Sequence, residues 1–167
     1  IYGYLSASAV VTTPLDISSR CPDYTVGSGS YGRGNEIWAE VTGAYVTGTS
    51  FKLQAIYTNQ YGQSASGIFT AGLAAAALTA NKMFQLNLAS GDNGVQAINN
   101  VVIVSDGTAF TAGSCNILIM RPLNTSMRVY TANSGGVLDM LSTGLVQIYP
   151  TSALYPVYVP DSTALGR

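Results

Sequence analysis

Glu36 and Glu40 stand in the segment EIWAEVTGAYV (36–46), with Trp38 midway between them. Side chains on an extended strand alternate between its two faces. Glu36, Trp38 and Glu40 would therefore share one face, and Ile37, Ala39 and Val41 the other. Two carboxylates on one face can act as acid and base on a glycosidic bond. An indole between them, helped by Tyr31 and Tyr45, could stack on a sugar ring, with either carboxylate accepting hydrogen bonds from its hydroxyls. The same spacing arises on any solvated outer strand, and that plainer reading carries more weight than catalysis.

Other chemistry is sparse. The chain has no histidine, which removes Ser-His-Asp triads, imidazole metal ligands and the commonest general base. Lys52 and Lys82 lie in no phosphate loop and no Ser-x-x-Lys motif. GSGSYGRG (27–34) resembles a phosphate loop only in its glycines. It lacks the closing Gly-Lys-Ser/Thr and precedes no helix, so it reads as a flexible β-loop. Asp92, Asn93 and Asp106 fall in turns without the alternating acidic spacing of a calcium loop, and turn formation accounts for them. Cys21 and Cys115 are compatible with one disulfide or with two buried thiols. Two cysteines and no histidine cannot make a cysteine zinc site. The sequon Asn124-Thr125-Ser126 needs a secretory route that nothing else in the sequence supports. No catalytic, cofactor-binding or metal-binding residue is expected.

Composition narrows the choice of partner. Charged residues are 9% of the 167, against about 25% in an average soluble domain. Such a surface is neutral and polar, or it is covered by other chains. The net charge is −1. Arg20, Arg33, Arg121, Arg128 and Arg167 are scattered rather than clustered, so direct nucleic-acid binding is not expected. AGLAAAALTA (71–80) is about half the length of a membrane-spanning helix, and no membrane partner is expected. The opening IYGYLSASAVVTTP carries neither an initiator Met nor the basic start of a signal peptide.

The elements that would position these residues are strands. FKLQAIY (51–57) places Phe51, Leu53, Ala55 and Tyr57 on one face. MFQLNLA (83–89) sets Phe84, Leu86 and Leu88 against Met83, Gln85 and Asn87. SGIFTAGL (66–73) is a shorter strand, and GDNG (91–94) is a strong turn signal. Two runs break the alternation: VVIV (Val101–Val104) and ILIM (Ile117–Met120) are apolar throughout. Read as a hairpin, they need cover on both faces. The cover would come from a second sheet on one side and from an arm or another subunit on the other. Pro122 would end the second run, because it has no N–H to give a ladder. AAAALTANK (74–82) is a short helix or an edge strand, and SGGVLDMLSTG (134–144) is a short helix. MRVYTA (127–132), LVQIYP (145–150) and YPVYVP (155–160) read as extended pieces. The whole reads as a single all-β domain over 1–167, an antiparallel β-sandwich or jelly-roll-like barrel. An extended and looped region covers 1–34, and a terminal arm covers 150–167.

The segment GDNGVQAINNVVIVSDGTAFTAGSCNILIMRPL (91–123) resembles one found in decoration (cement) and minor head proteins of tailed bacteriophages. The matching positions are Gly91, Asp92, Gly94 and Val95, then Gly107, Thr108 and Gly113, then Arg121, Pro122 and Leu123. Ala109-Phe110-Thr111 lengthen the inter-strand loop relative to that pattern, and the Tyr- and Pro-rich final third is similar more loosely. The resemblance implies a virion protein on the capsid surface, partnered by the major capsid protein and by copies of itself, commonly as a homotrimer, with no enzyme activity. The terminal aromatics Tyr2, Tyr4, Tyr155 and Tyr158 are then the expected arm contacts. Val102, Val104, Ile117 and Ile119 are the expected buried strand positions at the interface. The rival is a carbohydrate- or receptor-binding β-domain of a virion or fibre, and a hydrolase using Glu36 and Glu40 is the weakest reading.

Overall fold

Strict alternation in the sequence becomes an inner and an outer sheet face in the computed structural model. The structure describes residues 32–49, 51–70, 78–105 and 112–122, with the strand backbones of 3–7, 10–11 and 15–16. Its strands are β1 (Gly3–Ala7), β2 (Val10–Val11), β3 (Leu15–Asp16), β4 (Glu36–Val46), β5 (Phe51–Asn59), β6 (Ser64–Thr70), β7 (Met83–Leu86), β8 (Val95–Ser105) and β9 (Ala112–Met120). They form two antiparallel sheets, in the orders β1-β9-β4-β7 and β2-β8-β5-β6, with β3 also pairing β8. There is no helix among the described residues. The protein is an all-β antiparallel sandwich. The 1–34 region, expected as extended chain and loop, supplies one strand to the first sheet and two short ones to the second.

The core lies between the sheets, where the alternation put it. Ile37, Ala39 and Val41 of β4 face it beside Cys115, Ile117 and Ile119 of β9. Phe51, Leu53, Ala55 and Tyr57 of β5 meet them with Val95, Ile98 and Val101 of β8. Aromatic rings fill one end of the core. Tyr45 meets Phe51 edge-on with centroids 5.2 Å apart, and Phe69 and Phe84 bring β6 and β7 together at 4.8 Å. Such offset contacts add to what area burial alone supplies. The same corner is stitched by backbone, since the Ile68 amide donates to the Asn87 carbonyl at 3.1 Å. Gly67 makes the approach possible, because a Cβ there would lie 3.0 Å from that carbonyl oxygen.

The two unbroken apolar runs do not form a hairpin. β8 pairs with β5 in the second sheet and β9 with β4 in the first, so the runs lie in opposite sheets. Their inner residues Val101, Ile117 and Ile119 are fully buried. On the outer side of β9, Leu118 and Met120 are only 4% and 8% exposed within the single chain. The second face of ILIM therefore needs no other subunit, and this run gives no support to assembly. As expected, β9 stops at Met120, directly before Arg121 and Pro122. Residues 123–167, including the segments expected as a helix, further extended pieces and the terminal arm, lie outside the described residues.

Candidate functional site

The outer face of the first sheet carries Glu36, Trp38 and Glu40 together, as their spacing predicts. Cross-strand register places Trp38 between Leu118 of β9 and Gln85 of β7. Glu40 lies between Asn116 and Met83 in the same way. The Trp38 Nε1–H donates to Glu36 Oε2 at 2.9 Å, which fixes the indole edge. Asn116 Nδ2 donates to Glu40 Oε2 at 3.3 Å. The two carboxylates thus have different partners. Four residues along a strand also span roughly 13 Å, beyond the separations of about 5–9.5 Å that glycoside hydrolysis uses. The arrangement suits binding better than acid-base chemistry.

Burial grades across this face. Leu118 and Met120 are buried, Glu36 and Trp38 are half-buried, and Gln85 is exposed. The face is closed over β9 and open along the β4–β7 side. There a cleft of about 330 Å³ is lined by Gly34, Asn35, Glu36, Gln85, Asn87 and Asn93, with Leu86, Leu88 and Asp92 completing it. The alternation of MFQLNLA puts Gln85 and Asn87 on one face and assigns them no role. The signal was present in their alternation with Phe84, Leu86 and Leu88, since amides placed regularly opposite a core face have only solvent or a ligand to bond.

The floor of the cleft is braced by a polar network. Tyr57 Oη–H donates to Asp92 Oδ2 at 2.6 Å, and Asn59 Nδ2 donates to Asp92 Oδ1 at 2.8 Å. The Ala89 amide donates to Tyr57 Oη at 2.9 Å. Asn59 Oδ1 accepts from the backbone amides of Tyr61 and Gln63, forming the turn after β5. Both Asp92 oxygens are therefore occupied by side chains, which makes this aspartate a turn brace rather than a cation ligand. The glycine-rich segment before β4 is tied to the same turn. Arg33 bridges Gly94, and the amides of Asn35 and Val95 both donate to the Gly32 carbonyl at 3.1 Å. The expectation of a flexible loop fails for these last residues, because backbone bonds pin them to 93–95.

The Tyr57 phenol is pushed up to about 12, first by burial and then by its hydrogen bond to Asp92, while the Ala89 amide acts in the opposite sense. The fold thus favours neutral Tyr57. Its contribution is fully present below pH 10, the ordinary value, and is lost as pH rises towards about 12. Urea unfolding across that window should show a steeper loss of stability in the native chain than in Tyr57→Phe, and equal slopes would contradict the assignment.

Several expected site residues lie elsewhere. Tyr45 is buried against Phe51 and Cys115, so it cannot line a sugar site. Burial pushes the thiol of the buried Cys115 up, which suits packing rather than reactivity. Ile117 and Ile119 are buried strand positions as expected, but they face the intersheet core and offer nothing to a partner. Val102 is half-buried on the outer face of the second sheet. Val104 lies on β8 and Tyr4 on β1, opposite Leu118 in register. Tyr2, Tyr31, Tyr155, Tyr158 and Cys21 fall outside the described residues.

No match to this chain is found among protein-family models, curated proteins or solved structures. Among the described residues, no group of three or more His, Cys, Asp or Glu could hold a metal ion. No helix among them is long and apolar enough to cross a membrane.

Proposed function

We propose that this chain is a structural protein of a tailed-phage virion, which decorates the capsid surface and bridges neighbouring capsid subunits as a homotrimer. The observation that carries the reading is the outer face of the second sheet. Gln54, Ile56 and Thr58 of β5 stand there beside Ser64, Ser66 and Ile68 of β6, with Asn100 and Val102 of β8 on the other flank. Lys52 lies on this face too, and the register of β3 puts Asp16 on it, opposite Ala97. Ile56 and Ile68 are 37% and 39% exposed and lie on diagonal positions of paired strands. Gln54 Nε2 donates to Ser66 Oγ at 2.9 Å, and Asn99 Nδ2 to Thr58 Oγ1 at 3.1 Å, so these polar groups need little water. A face of this kind desolvates at low cost. At about 25 cal/mol per Å² of apolar area, modest contacts repeated over many symmetry copies add up to a large resistance to shell expansion. The resemblance of 91–123 to phage decoration proteins supports the same reading.

An Ile56→Lys/Ile68→Lys variant tests it. Both positions point outward, so the fold should survive, as circular dichroism would show. Co-sedimentation with purified capsid shells should fall at least about tenfold, since two desolvated lysines cost more than the roughly 1.4 kcal/mol this represents. Retention at native occupancy would rule out this face. A second reading, a carbohydrate-binding β-domain of a virion or fibre, is favoured by one observation: the amide-lined cleft that opens beside Trp38.

A further inference from the structure

From the geometry of that cleft we infer a binding site for an uncharged oligosaccharide, with Trp38 as the stacking platform and Glu36, Gln85, Asn87 and Asn93 as the hydrogen-bonding set. The inference rests on the carbohydrate reading, deepens it to a ligand class and a location, and does not depend on capsid docking.

The polar lining is made of carboxamides and carboxylates, and no Lys or Arg lines the cleft. A carboxamide presents both donors and an acceptor, which matches a hydroxyl that also does both. Glu36 accepts from hydroxyls and repels anions, and Asp92 adds to the repulsion from the floor. Uronates, sialosides and phosphates would bring negative charge beside these two carboxylates. A nearby cation, the Arg121 guanidinium, lies at the Gly34 margin rather than in the lining, so the lining itself favours an uncharged ligand. The surface also has an apolar part. Trp38 adjoins the cleft rather than lining it: it lies half-buried on the same outer face, next to the lining residue Gln85 in register. Its bond to Glu36 holds the ring edge in place and orients the carboxylate oxygen beside it. A sugar ring has one face of C–H groups and a rim of hydroxyls, and this pairing of a fixed indole with a rim of amides complements both.

Pre-organisation supports the same conclusion. The 91–94 turn that carries Asn93 is fixed by Asp92 to Tyr57 and Asn59. The 32–35 segment that carries Asn35 is fixed by backbone bonds to Gly32. Binding would order little that is not already ordered, which matters for ligands as weakly held as sugars.

The chain has one tryptophan, so emission excited to the red of tyrosine absorption reports Trp38 alone. Titration with short neutral oligosaccharides, hexose and pentose series up to about 10 mM, should shift or quench that emission saturably for at least one series. Amide NMR shifts should concentrate at Glu36, Gln85, Asn87 and Asn93. Gln85→Ala is exposed and should fold normally, yet weaken the responding ligand about tenfold. Trp38→Phe should keep part of the affinity, whereas Trp38→Ala should lose it. An acidic glycan series, read in parallel at low and high salt, separates the outcomes. Binding of acidic glycans alone, or shifts located away from the cleft, would overturn the inference and leave carbohydrate binding standing. No response from either series would overturn both.

Discussion

Gly32→Ala should abolish folding or cost more than about 3 kcal/mol. Gly32 has φ +70°, a conformation that side-chain-bearing residues rarely adopt, and a Cβ there would lie 2.2 Å from the Val95 carbonyl oxygen. The conformation alone costs about 1–2 kcal/mol for an L-residue. The clash adds to this, because the obstacle is backbone and cannot rotate away. That backbone is held from several sides. Gly32 O accepts the amides of Asn35 and Val95, and Asn35 Nδ2 returns a bond to Val95 O at 3.0 Å. Relief of the clash must break this group, which leaves buried polar atoms unpaired. Gly94→Ala should behave alike, since its Cβ would meet the Gly32 carbonyl at 2.4 Å. Gly91→Ala is the control. It shares a positive φ, +91°, but has open space around the added methyl. Thermal or urea unfolding should rank Gly91→Ala as the mild member by at least about 2 kcal/mol. Equal effects at Gly32 and Gly91, with Gly94→Ala mild because its φ is not positive, would show that conformation, and not the close approach of 32–35 to 93–95, sets the cost.

The glycine pair shows where the sequence is informative and where it is not. Alternation in 36–41, 51–57 and 83–88 identifies the core faces correctly, because one face of each strand is dry and the other wet. The same logic places Glu36, Trp38 and Glu40 together. It also places Gln85 and Asn87 outward, but it cannot tell that β7 lies next to β4, since a local pattern carries no pairing partner. The failure at VVIV and ILIM has the same origin. Two apolar runs with a glycine-containing connection look like a hairpin, yet β8 and β9 join opposite sheets. Both are central strands, paired at each edge, and the outer face of β9 is in addition buried at Leu118 and Met120. Tyr45 obeys the alternation rule: it has the parity of Ile37, Ala39 and Val41, which puts it on the core face and not beside Trp38. The burial pattern of β4 keeps that alternation through the irregular pairing between Val41 and Val46. The pinning of Gly32 against Val95 depends on a contact between distant parts of the chain, so GSGSYGRG in isolation reads as loose.

Asp92→Ala should cost about 3–5 kcal/mol and also weaken the cleft, although Asp92 is not one of the proposed ligand-bonding groups. Its carboxylate takes the Tyr57 hydroxyl at 2.6 Å and the Asn59 amide at 2.8 Å. Hydrogen bonds to a charged acceptor contribute about 1.5–3 kcal/mol each, and their donors here are left without a partner when the acceptor is removed. Tyr57 is fully buried, so its stranded hydroxyl has poor access to water. Tyr57→Phe removes one donor and should cost less, about 1–3 kcal/mol, because Asp92 keeps Asn59. The two changes should not add. A double-mutant cycle should return a coupling of about 1–3 kcal/mol, as expected for partners in one network. The consequence reaches the cleft through Asn93, whose amide donates to Gln60 Oε1 at 3.2 Å and whose carbonyl accepts from Gly34 at 2.7 Å. Once the Asp92 side chain is lost, the turn keeps the Asn93 bonds to Gln60 and Gly34 but loses its brace to Tyr57 and Asn59, and a ligand must order more of it on binding. Asp92→Ala should therefore lower oligosaccharide affinity in a chain that is still folded at low temperature, while Trp38 keeps its native emission in the free protein. A measured cost below about 1 kcal/mol, or additive single changes, would show that the 91–94 turn holds its shape without the Tyr57–Asp92–Asn59 brace.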